Sequence, residues 1–176
     1  MGGIGQIKAD YNPNFIVKLI SEKLTCDYLQ LNSPIVVEQK GLKEKLLSEK
    51  SIKEIIKRIC LSEVIFTCIG PIENNKRLLQ SNIISKKSFE ELLNRKAVGE
   101  MCGRFFNAEG KIAYPSLDNK IIGIEFNDFL NIKRRIAVAG GPVKGLPIFY
   151  ALKNKLINTL ITDIFTAQEI LKLFDS

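Results

Sequence analysis

The sequence predicts an α/β fold: a mainly parallel sheet with helices on both faces. Three observations carry this. Segments with helical apolar spacing alternate with short apolar segments along most of the chain. Two of the short segments, VIFTCIG (64–70) and RRIAVAGG (134–141), are apolar for most of their length and end in glycine, as strands buried on both faces do. Finally, 176 residues with 45% hydrophobic and 26% charged side chains suffice for one globular core.

NPNFIVKLISEKL (12–24) has Phe15, Ile16, Leu19 and Ile20 on one helical face and Pro13 in the first turn. DYLQL (27–31) reads as a short strand, and Pro34 interrupts the chain after it. GLKEKLLSEKSIKEIIKRI (41–59) reads as two short helices, the second started by a capping box of Ser51 and Glu54. After the strand at 64–70, SKKSFEELLNRK (85–96) is a helix with another such pair, Ser88 and Glu91. EMCGRFF (100–106) reads as a strand and NAEG (107–110) as a hairpin-type turn. KIAYP and KIIGIEF (120–126) supply further strands. RRIAVAGG leads into KGLPIFYALKNKL (144–156), a helix with Pro147 in its first turn. TLITD (159–163) is a strand and FTAQEILKLF (165–174) the closing helix. No repeat, low-complexity tract or linker interrupts this order, so residues 1–176 are expected to form one domain.

Composition excludes several functions. The chain has no histidine, which removes the usual general base and the Ser-His and Cys-His nucleophile pairs. The four cysteines, at 26, 60, 68 and 102, form no CxxC pair. They are expected as buried thiols in a reducing compartment, with no metal site and no cofactor. A net charge of +7 is compatible with an anionic partner. The basic residues are dispersed, however. Lys43, Lys45, Lys50, Lys53 and Lys57 fall on expected exposed helix faces among Glu44, Glu49 and Glu54, and KRR (133–135) flanks a strand. No zinc-finger spacing or RNP-like aromatic pattern is present. No apolar run is long enough to span a bilayer, and MGGIGQIKADYNPNF lacks a signal-peptide layout. A cytoplasmic protein without membrane contact is expected.

Ligands of open parallel sheets bind beyond the carboxyl ends of the strands. Three features fall there: Gly70-Pro71, then Gly140-Gly141-Pro142 with Lys144, then Thr162-Asp163. Glycine admits a ligand to the backbone, helix-start amides attract anions, and Lys144 adds a point charge suited to phosphate. Each feature also reads as plain structure: a strand-to-helix turn, or an N-cap. Glu100, beside Gly99 at the head of a strand, reads equally as an exposed charge.

KAVGEMCGRFFNAEGK (96–111), AVAGGPVKGLPIFYALKNKLINTLITD (137–163) and FTAQEILKL (165–173) resemble the sugar-binding effector domain of the SorC family of bacterial transcriptional regulators. That family's pattern runs GAVG-acidic, GRFFD-like, a-AGG-x-x-K, then L-x-TD. LNSPIVVEQKGLKEKLLSEKSIKEIIKRI (31–59) resembles its aP-x-x-v segment and helix pair, and VIFTCIGPI (64–72) its strand ending in G-x-G or a near variant. The resemblance implies a Rossmann-like sheet similar to glucosamine-6-phosphate deaminase and ribose-5-phosphate isomerase. It implies a phosphorylated sugar or related effector, a homo-oligomer, and no enzyme activity.

Carried over by position, Glu100 takes sugar hydroxyls and Lys144 reaches the sugar or its phosphate. Gly70 walls the pocket, and Gly99, Gly140 and Gly141 bring backbone to the ligand side. Gly3 joins them, because MGGIGQ resembles a GG-l-G segment inside the family's effector domain. There are two departures from the pattern. The family's N-terminal helix-turn-helix, through which DNA would be bound, and its first strand with a phosphate-holding Gly-Thr-rich loop are expected to lie outside this sequence. Asn107 stands where the pattern often has aspartate, and suits the turn equally well. Two alternatives stay open. One is a sugar-phosphate isomerase or deaminase-type enzyme, with Glu100 as base and Lys144 as electrophile or imine former. The other is a non-functional remnant that needs a partner's strand to fold.

Overall fold

The computed structural model describes residues 12–73, 75, 78 and 83–175. Its helices are α1 (Pro13–Leu24), α2 (Leu42–Ser48), α3 (Lys50–Cys60), α4 (Lys86–Asn94), α5 (Pro115–Asp118), α6 (Phe126–Asn131), α7 (Gly145–Lys153) and α8 (Ile164–Asp175). The strands are β1 (Val64–Thr67), β2 (Gly70–Pro71), β3 (Ala97–Met101), β4 (Arg104–Asn107), β5 (Arg134–Val138) and β6 (Thr159–Ile161). The class is α/β, as the sequence predicts. β1, β5 and β6 form a parallel sheet in that order, and β2, β3 and β4 an antiparallel one.

Most elements form where local chemistry directs. Asn12 caps α1 by accepting from the Asn14 amide at 2.9 Å, and Pro13 occupies its first position. Pro147 sits in the first turn of α7, where its missing N–H costs nothing.

Several expectations are corrected. Residues 27–31 join no ladder, and 120–126 contribute a single bridge, Val36 to Ile121, before α6 begins. Ile121, Ile122 and Ile124 are buried there as irregular chain, so apolar content reported burial and not a strand. EMCGRFF is the turn of a hairpin, with Cys102 and Gly103 at φ +54° and +76° between β3 and β4. The run from 64 to 70 divides between the two sheets. Neither proposed capping box forms. Glu49 takes the N-cap of α3 without a side-chain bond, and Ser85, not Ser88, caps α4, accepting from the Ser88 amide at 3.1 Å. Glu91 instead pairs with Arg95. Lys43 is buried, not exposed: its ammonium meets Glu125 at 2.7 Å. The cysteines are all free, but Cys26 and Cys68 are exposed and only Cys60 and Cys102 half-buried.

The two sides of the parallel sheet differ. Thr67 and Ala137 point to the packed side, where Ala137 belongs with Ile148, Met101, Phe106 and Ile157 to the main core cluster. Val64, Phe66, Val138 and Ile161 lie on the other side and are exposed. The apolar face of α1 (Phe15, Ile16, Leu19, Ile20) is exposed as well. This asymmetry gives a direct stability test. Phe106 is 0% exposed and Phe66 66%. Phe106→Ala is expected to cost about 3–5 kcal/mol in urea unfolding. Phe66→Ala should change it by less than about 0.5 kcal/mol. Equal effects would mean that the outer face is packed in solution.

Candidate functional site

Of the residues the sequence singles out, Gly70, Glu100 and Lys144 stand past the carboxyl ends of β1 and β5, and Asp163 past that of β6. The chain leaves β1 at Thr67 and turns into β2, which pairs with β3 so that Gly70 faces Glu100 and Pro71 faces Gly99. The hairpin thereby carries Glu100 to the ends of the parallel strands. One carboxylate oxygen, Oε1, accepts from the Gly103 amide at 2.7 Å and closes the Cys102-Gly103 turn. Oε2 lies over Gly70, 3.4 Å from where a Cβ would stand. Glycine at 70 therefore sets no side chain against that oxygen.

Burial pushes the Glu100 carboxyl above its usual range, and the Gly103 amide and the positive charge of Lys144 act against this. Lys144 is half-buried at the head of α7, and its charge acts through space on Glu100. A carboxylate with one oxygen uncommitted accepts hydroxyl protons, and an ammonium nearby donates to phosphate or hydroxyl oxygen. The two charges suit a polyhydroxylated anion.

Glu100 is expected to cost the apo fold stability at neutral pH. Its folded pKa is raised, so its favourable contribution is complete only below the unfolded carboxyl pKa and is lost as pH rises through the folded one. Glu100→Gln keeps an oxygen for the Gly103 amide and removes the charge. It is expected to raise Tm at pH 7–8, by about 2–4 °C for each kcal/mol relieved, with the gain vanishing toward pH 4. A fall in Tm at pH 7 would mean that attraction to Lys144 outweighs burial.

The glycines divide by role. Gly70 faces the carboxylate. Gly99 packs inward: a Cβ there would stand 2.5 Å from Phe106 Cζ and 2.8 Å from Pro147 Cβ. Gly140 has no room for a side chain because the Asp163 carboxylate occupies that space. Gly141 adopts φ +117°, and its amide donates to Asp163 Oδ2 at 3.1 Å and Thr166 Oγ1 at 2.8 Å. This amide is engaged within the protein and is not free for an anion. Gly3 lies outside the described residues. Among the described residues no group of three or more His, Cys, Asp or Glu is placed to hold a metal. None of their helices is long and apolar enough to cross a membrane.

Three neighbours escaped sequence reasoning. Asn75 anchors the chain after β2, its amide donating to Pro71 O at 2.8 Å and its carbonyl accepting from the Leu78 amide at 3.0 Å. The Cys102 thiol, pushed up by burial, donates to Thr67 Oγ1 at 3.3 Å. Thr166 is buried under Asp163. Only Thr166 left a signal, the Asp-x-x-Thr spacing of a capped helix start.

Fold and site together define a ligand-binding α/β domain, and comparison with known proteins states which. Residues 1–172 match the family described as "Putative sugar-binding domain", and the chain belongs to it. It is 28% identical over 167 residues to the deoxyribonucleoside regulator of Bacillus subtilis, covering 95% of this chain and 53% of that protein. The crystal structure of a transcriptional regulator from Streptococcus pneumoniae TIGR4 superposes with a TM-score of 0.89 at 30% identity, covering 99% of this chain and 67% of that one. The full-length sorbitol operon regulator SorC from Klebsiella pneumoniae shares the fold, with a TM-score of 0.89 at 21% identity over 97% of this chain and 56% of its own. The resemblance to SorC-type regulators is thus borne out. The chain spans about half the length of the curated relatives it matches.

Proposed function

We propose that this chain is the effector-sensing domain of a transcriptional regulator, that it binds a phosphorylated sugar without turning it over, and that it works in the cytoplasm. The observation that carries this is the position of Glu100 at the ends of the parallel strands, with Oε1 held by the Gly103 amide and Oε2 over Gly70, while Lys144 stands half-buried at the head of α7 and its charge favours the Glu100 carboxylate. Membership of a sugar-binding domain family supports the ligand class, and the regulator relatives support the role. Ligand would act by population shift, binding one arrangement of the domain better than another. Association between copies would carry that preference to a DNA-binding domain elsewhere in the protein.

The test is a thermal-shift screen of the chain against a panel of sugar phosphates. A ligand that binds only the folded state raises Tm by mass action, by about 2.7 kcal/mol of stability at one hundred times Kd. One phosphosugar should raise Tm, and Lys144→Ala and Glu100→Gln should each lose that rise. A flat panel on a cooperatively folding chain rejects sugar-phosphate binding by this chain. Turnover of a panel member that Glu100→Gln abolishes would replace sensing by catalysis.

A further inference from the structure

The motif Thr162-Asp163 comes after β6 and precedes α8, which by itself makes Asp163 an N-cap. Its geometry goes beyond that role. Oδ1 accepts from the Thr166 amide at 2.9 Å, the ordinary capping bond. Oδ2 faces a different segment. It accepts from the Gly141 amide at 3.1 Å and from the Thr166 hydroxyl at 2.7 Å. Because that hydroxyl gives its proton to Asp163, its lone pairs are turned to the same Gly141 amide, 2.8 Å away. Two acceptors from the start of α8 thus converge on one N–H in the turn after β5.

That turn carries Lys144. The Gly141 carbonyl accepts from the Lys144 amide at 3.0 Å, and the Lys144 carbonyl accepts from Ile148 at 3.1 Å in the first turn of α7. Gly141 holds φ +117°, a conformation that glycine enters and leaves freely. The turn between β5 and α7 therefore needs an outside tether, and Asp163 supplies one. Gly140 is bare for the same reason, since the carboxylate fills the place of its side chain.

Resting on the site proposed above, we infer that Asp163, with Thr166, is the positioning residue for Lys144: it fixes the glycine turn whose Gly141 carbonyl holds the Lys144 amide at the head of α7. Asparagine at 163 would place an N–H₂ where two donors, the Gly141 amide and the Thr166 hydroxyl, already converge, or would turn that group onto the Thr166 amide; either way one acceptor is lost.

The test uses the full chain and needs no ligand. The ¹³C titration of the Glu100 carboxyl is tracked by NMR in wild type, Lys144→Ala, Asp163→Asn and Thr166→Val, together with the Gly141 amide proton. Lys144→Ala should raise the Glu100 midpoint. Asp163→Asn should raise it in the same direction and shift the Gly141 amide upfield, with Thr166→Val giving a smaller change and Thr166→Ser restoring wild-type behaviour. Should Asp163→Asn fail to fold, Thr166→Val and Thr166→Ser carry the same comparison. A lowered Tm with the Glu100 midpoint and the Gly141 amide unmoved would reduce Asp163 to a helix cap and overturn the inference. A Glu100 midpoint indifferent to Lys144→Ala would overturn it too. Where the panel yields a ligand, Asp163→Asn should weaken its binding about tenfold, the equivalent of one charge-assisted hydrogen bond. An empty panel would fail the sugar-phosphate reading while leaving the NMR comparison intact.

Discussion

Arg104→Ala is expected to lower the unfolding free energy by about 3–5 kcal/mol, as loss of one partner from a buried ion pair does. Arg104 is 1% exposed at the start of β4. Its Nη1 meets Asp118 Oδ2 at 2.7 Å, its Nη2 meets Glu125 Oε2 at 3.2 Å, and its Nε donates to Ile124 O at 2.9 Å. Lys43 joins from α2 through Glu125, so two cations and two carboxylates balance where β4, α2, α5 and α6 meet. Alanine leaves Asp118 without a counter-charge, leaves a buried carbonyl without its donor, and opens a cavity of guanidinium size. Glu125 keeps Lys43 and suffers less. The measurement is the denaturant midpoint with the slope unchanged. A loss below about 1 kcal/mol would mean that both carboxylates regain water easily and the pair is superficial.

Gly99→Ala is expected to destabilise the fold by about 1–3 kcal/mol through overpacking. The added methyl would meet the Phe106 ring on one side and Pro147 on the other, and both are held in the core. β3 must shift, and Glu100 is the next residue along it. The substitution also separates two explanations of a bare backbone at 99. If the glycine served only to admit a ligand, alanine would leave the apo Tm unchanged and weaken binding alone. A packing role lowers the apo Tm without any ligand present, and that is the outcome expected here.

Much of the architecture was legible because it is decided within a few residues. The α/β class, the start of α1 at Asn12-Pro13, and Pro147 in the first turn of α7 all come from caps and local spacing. Glu100, Lys144 and Gly70 could be singled out as candidates in the same way, since each stands just past an apolar run or within a motif the family shares. The misreadings have a common cause. KIIGIEF and DYLQL carry strand-like composition, but a strand needs a neighbour to take its hydrogen bonds, and composition does not name one. EMCGRFF hid a two-residue turn because cysteine rarely takes φ +54°, so nothing in the letters marked a reversal. Lys43 read as solvent-facing because its partner, Glu125, belongs to a distant part of the chain.

By itself, then, the sequence determined the α/β class, the principal helices, most of the apolar runs that fill the core, and a set of candidate side chains whose chemistry suits a hydroxylated anion. Tertiary structure alone decided how these meet. It placed Gly70 opposite Glu100, brought Lys144 into the field of that carboxylate, and passed the Gly141 amide to residues 22 and 25 positions further on. The physical reason is range. A cap or a helical period is settled by neighbours in the chain, whereas a buried charge or an engaged amide is settled by whichever group the packed fold carries to within about 3 Å.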